Sequence, residues 1–163
     1  MKINVAVLML AALLPLSLSP GNDDLPGEEN WTVITSDGNL LMDYAAQVAV
    51  FSHNVKISNP RGRLDSDRLT IFFAEDGQTV KMVEAVGNVK VDMAGKTGGA
   101  DKLLYYPQER RTVLLGNADI RIGEDSVRGE EITFFLDRDE IVVKAATEMR
   151  IAPPQRREAP ASR

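Results

Sequence analysis

The sequence predicts an all-β fold, a single domain of stacked antiparallel strands. Three observations point to it. Apolar and polar residues alternate with a period of two. Turn-forming residues interrupt that alternation roughly every 12 to 20 positions. Two separate short motifs recur with shared offsets, the mark of one supersecondary unit stacked several times.

The chain has 163 residues, enough for one domain, and 44% of them are hydrophobic, so a packed or lined interior can form. Residues 1–21 stand apart. Lys2 gives a short positive region, and Ile3 to Leu18 is apolar except for Asn4, Pro15 and Ser17. Small residues follow at Ser19 and Gly21. This is the pattern of a secretory signal peptide, with cleavage after Gly21, and the apolar run is short for a spanning helix. Residues 22–30 are polar and aperiodic and form a flexible lead-in. The body is 31–151. Residues 152–163, rich in proline and arginine, form a disordered tail.

Within the body, Val55 and Ile57 flank Lys56, and Leu69, Ile71 and Phe73 alternate with Arg68, Thr70 and Phe72. Val89 and Val91 flank Lys90, and Leu103 and Tyr105 flank Leu104. Ile120 and Ile122 flank Arg121, and Ile132 and Phe134 flank Thr133. Each run reads as a half-buried strand. Turns are predicted at 36–38, 59–62, 75–77, 95–99, 106–107, 122–125 and 137–139. No helical stripe lies outside the first 21 residues. Edge strands are predicted near Trp31–Thr35 and near Met149–Ile151.

The repeated motifs are His53-Asn54-Val55-Lys56-Ile57, Gly87-Asn88-Val89-Lys90-Val91 and Gly116-Asn117-Ala118-Asp119-Ile120. Each is predicted to begin a short strand. The second series is Ser66-Asp67-Arg68-Leu69, Ala100-Asp101-Lys102-Leu103 and Gly129-Glu130-Glu131-Ile132. Asn54 to Asn88 and Asp67 to Asp101 both span 34 positions; Asn88 to Asn117 and Asp101 to Glu130 both span 29. The acidic member is predicted to sit at a strand mouth and accept hydrogen bonds from turn backbone N–H groups.

Composition narrows the function classes. There is no cysteine, so disulfides, thiolate metal sites and cysteine nucleophiles are excluded. Of 19 basic side chains, Lys2 leaves with residues 1–21, so 18 remain against 24 acidic ones and the formal charge is −6. That balance argues against nucleic acid. His53 is the only histidine and is poor material for a metal site or triad. Asp65, Asp67, Glu130 and Glu131 lack a defined acid–base spacing. Ser36, Ser52, Ser58, Ser66 and Ser126 lack a nucleophile elbow. Gly95 to Gly99 lacks the helix a phosphate loop needs. No enzyme, cofactor or metal is predicted.

The G-N-x-x-[IV] and A-D-x-L-x-Y phrases resemble the LptA/OstA-like family, as does Asn59-Pro60-Arg61-Gly62-Arg63-Leu64-Asp65-Ser66-Asp67-Arg68-Leu69. The resemblance spans roughly 33–145. It implies a single-domain open β-jellyroll, V-like in section, in a periplasmic protein that carries lipopolysaccharide from inner to outer membrane. It implies lipid A acyl chains as ligand. The implied partners are related jellyroll domains of an inner-membrane adaptor and an outer-membrane translocon, with head-to-tail self-association. Under it, Val55, Ile57, Leu69, Ile71, Phe73, Val89, Val91, Leu103, Tyr105, Ile120, Ile122, Ile132 and Phe134 line an apolar groove. Arg61, Arg63 and Arg68 form a local basic patch, either solvated surface or a contact for lipid head groups. By themselves the thirteen apolar residues favour a dry core, which would suit a structural scaffold, and it is the resemblance that favours the groove. A membrane-anchored LptC-like adaptor of the same pathway is the other alternative.

Overall fold

The computed structural model describes residues 32–60, 62–93, 95–138 and 140–153. The signal peptide, the lead-in, Trp31, Arg61 and the tail from residue 154 lie outside the described residues. Nine strands follow in order: β1 (Val33–Thr35), β2 (Leu40–Asp43), β3 (Val48–Asn59), β4 (Gly62–Phe73), β5 (Val80–Met93), β6 (Lys96–Tyr106), β7 (Arg111–Ile122), β8 (Asp125–Phe135) and β9 (Glu140–Arg150). Among the described residues there is no helix. From β3 onward each strand pairs antiparallel with the next, a meander in a single sheet. Among the described residues no ladder joins β9 back to the start, so the sheet is open.

The predicted turns fall at the strand junctions, where Asn59, Gly62, Tyr106, Ile122 and Asp125 are terminal strand residues and Lys96 to Gly99 already belong to β6; Asp139 lies outside the described residues. A turn at Tyr44 to Gln47, between β2 and β3, was not predicted; Asp43 Oδ1 accepts from Ala46 N at 2.9 Å within it. The repeated motifs do not begin strands. They lie in the middle of β3, β5 and β7, which are 12, 14 and 12 residues long. There the pairing register slips, between Ser52 and Val55, Val86 and Val89, and Leu115 and Ala118. The irregularity is a two-residue bulge in the left-handed region: His53 and Asn54 have φ 63° and 48°, Gly87 and Asn88 have 81° and 46°, and Gly116 and Asn117 have 72° and 47°. Glycine takes such φ values freely and asparagine takes them more readily than most residues. A bulge bends its strand. Aligned across the sheet, these bulges form a fold line.

The fold line divides each long strand between two facing layers. One layer holds β2, the first halves of the odd strands β3, β5, β7 and β9, and the second halves of β4, β6 and β8. The other holds β1 and the remaining halves. Inward rows are continuous across the registers. Phe51, Leu69, Ala85, Leu103, Leu114, Ile132 and Val143 form one row on the first layer. Ile34, Ile57, Leu64, Val91, Gly98, Ile120, Val127 and Met149 form one on the second. Near the fold line the layers converge, and small buried residues (Ala85, Ala100, Ala118) sit there beside Leu69, Val89 and Ile132. Alternating small and large side chains fills a narrowing space at native density. The outward row of the second layer is charged with alternating sign: Lys56 lies opposite Asp65, Asp65 opposite Lys90, and Asp119 opposite Arg128. Opposite charges directly across a ladder favour the pairing and keep this face in water.

Candidate functional site

The fold line is where the two motif series meet. Asn88 Nδ2 donates to Asp67 Oδ2 at 2.8 Å, and Asn117 Nδ2 donates to Asp101 Oδ2 at 2.9 Å. The acidic residues therefore accept from asparagine side chains on the neighbouring strand, which corrects the expectation of turn N–H donors. Gly87 and Gly116 are required beside them, since a Cβ at either would collide with the carboxylate of Asp67 or Asp101. A further copy of the pair lies between β1 and β3. Asn54 Nδ2 donates to Asp37 Oδ2 at 2.8 Å, and Asp37 N and Gly38 N donate to the carbonyls of His53 and Ser52. Strands β1 and β2 thus act as one interrupted strand beside β3, crossing the fold line at Asp37. The Ser36-Asp37 pair echoes Ser66-Asp67 and was the available signal.

The layers enclose the apolar interior that the candidate groove residues were to line. Val55, Ile57, Leu69, Ile71, Val89, Val91, Leu103, Tyr105, Ile120 and Ile132 are buried. Phe73 and Phe134 are half-buried and pack against this core. Ile122 departs from the prediction: it is 40% exposed, because β7 ends there at the open rim between the layers. The sequence reading missed Ala49, Leu64, Val83, Ala85, Ala100, Leu114 and Ala118, all buried. The small ones carry no hydrophobic signal of their own, and Leu64 and Val83 lie beside turns.

A narrow cleft of about 30 Å³ persists between the layers. Val83, Leu103 and Tyr105 face it from one layer, and Ile57, Leu64 and Val91 from the other. Its more exposed lining residues, Asn59, Gly62, Arg63 and Met93, gather at the β3–β4 hairpin, which is therefore the mouth. The three predicted head-group arginines are not brought together at it. Arg63 borders it and is exposed. Arg68 lies beyond the fold line, on the outer face next to inward Leu69, and Arg61 lies outside the described residues. Inside, Tyr105 is 3% exposed and its hydroxyl has no hydrogen-bond partner. Burial pushes that phenol up to about 12, against the opposing pull of the Arg110 charge. No group of three or more His, Cys, Asp or Glu able to hold a metal exists among the described residues.

The family model described as LptA/(LptD N-terminal domain) LPS transport protein matches residues 33–140, which is all of β1 to β8. The chain belongs to this family. The family is one of transport proteins, and the all-β open sheet is its jellyroll. Among solved structures, LptH, the LptA homologous periplasmic component of the lipopolysaccharide transport device from Pseudomonas aeruginosa, shares the fold. It superposes with a TM-score of 0.67 at 18% identity, over 77% of this chain and 97% of that one. No match was found among curated protein sequences.

Proposed function

We propose that this chain is a periplasmic carrier that shelters the acyl chains of lipopolysaccharide between its two layers. The observation that carries the proposal is the continuous apolar interior, open along both sheet edges and at the hairpin mouth, in a member of this transport family. An acyl chain of a dozen carbons costs on the order of 10 kcal/mol to leave bare in water, at about 0.8 kcal/mol per methylene. A passive apolar lining is sufficient to offset that, and no bond-making residue is needed.

The open edges supply the partner mode. The β1/β2 edge and β9 both carry unpaired backbone groups, and strand addition between unlike edges joins molecules head to tail. Successive interiors then align, and the same joint serves related domains at the two membranes. Pro153 follows β9 closely and limits further pairing there, since proline donates no ladder hydrogen bond.

Photo-cross-linkers at Phe73, Leu103 and Ile120 test the carrier reading. Capture of labelled lipopolysaccharide from all three supports it. Capture of neighbouring protein alone supports a scaffold with a dry core instead.

A further inference from the structure

Tyr105 places a phenol hydroxyl in a largely apolar cleft. Its neighbours across the cleft are Ile57, Leu64 and Val91, and Leu103 and Val83 lie beside it. A buried hydroxyl without a partner costs free energy that a phenylalanine at the same site would avoid. The fold gains nothing from it. Thr112, the partner of Tyr105 across the β6–β7 ladder, is the other buried hydroxyl-bearing residue that lines the cleft.

We propose that the Tyr105 hydroxyl is a specificity-determining donor for an oxygen carried on the alkyl chain of a bound lipid, a chain hydroxyl or a chain ester. The inference rests on the carrier reading above and adds which lipids the interior prefers. Position selects the chain over the head group. Tyr105 lies behind the mouth among aliphatic side chains, where a charged head would lose its hydration. An alkyl chain with no oxygen leaves the hydroxyl unsatisfied; a chain with one in register satisfies it.

The test is fluorescence-displacement binding to the full chain with three probes, each below its micelle concentration: tetradecanoic, 3-hydroxytetradecanoic and 3-acetoxytetradecanoic acid. The wild type is expected to prefer an oxygen-bearing chain about 3- to 10-fold, the worth of one hydrogen bond. Preference for the hydroxy acid alone assigns a chain hydroxyl; preference for the acetoxy acid assigns the ester. In Tyr105→Phe the preference disappears and the melting temperature does not fall. Equal binding of all three by the wild type overturns the proposal and leaves the carrier reading intact. So does a preference that survives Tyr105→Phe. Binding of none of them overturns the carrier reading and this proposal together.

Discussion

Asn88 and Asn117 each serve the fold twice. The side chain ties to an aspartate on the preceding strand, and the backbone occupies the left-handed region that bends the strand. Asn117→Ala loses both and is expected to cost about 1–2 kcal/mol. Gly116→Ala is expected to cost at least about 2 kcal/mol. It forces alanine to φ 72° and sets a Cβ 2.5 Å from Asp101 Oδ2. The last copy of the motif has decayed. Opposite Glu130, β9 offers Ala145, at φ 48°, where the earlier strands have a Gly-Asn or His-Asn pair. Ala145→Gly is therefore expected to raise stability, by about 1 kcal/mol. Urea unfolding midpoints of the three variants check these signs, and a stability gain from Gly116→Ala would contradict the account of the bend.

At the scale of the strand, the edges are the features with consequences. Val33, Leu40, Leu41 and Tyr44 are exposed at one edge, and Val142, Met149 and Ile151 at or just beyond the other. The chain has no cysteine, so introduced pairs report without background. Val33→Cys with Met149→Cys is expected to cross-link between molecules at high concentration under mild oxidant, as a ladder of oligomers on a denaturing gel. Exclusively monomeric chains would count against strand addition. The elements themselves were largely legible. Strand β5 and the later halves of β3 and β7 alternate cleanly because one face meets water and the other the core, whereas Leu69–Ile71, Thr112–Leu114 and Ile132–Thr133 are buried on both faces. The β2–β3 region was not legible, because Val50 and Ala49 are both buried and the period of two vanishes where both faces are covered. The motifs are legible as repeats, but their residues alone point to strand starts. A bulge and a turn use the same residues, glycine and asparagine at positive φ, and only pairing on both sides tells them apart. The candidate interior was readable from its large side chains and not from the alanines that fit the fold line. Nothing local in the sequence separates Ile122 from Ile120, since exposure at a rim depends on where the neighbouring strands end.

For the whole molecule, one sheet folded along a line of bulges makes two layers that are continuous at the fold line and carry no ladder between their far rims. The cleft between the layers is narrow, about 30 Å³. On the proposed carrier reading, lipid enters by a parting of the layers, with the left-handed pairs as the hinge. Spin labels at Lys81 and Asp92 place one probe near each end of β5, on opposite sides of Gly87-Asn88. The most direct measurement is the pulsed electron–electron distance between them, with and without bound lipopolysaccharide. The account predicts a longer distance in the lipid-bound protein. An unchanged distance in protein shown to carry lipid would place the ligand elsewhere and contradict it.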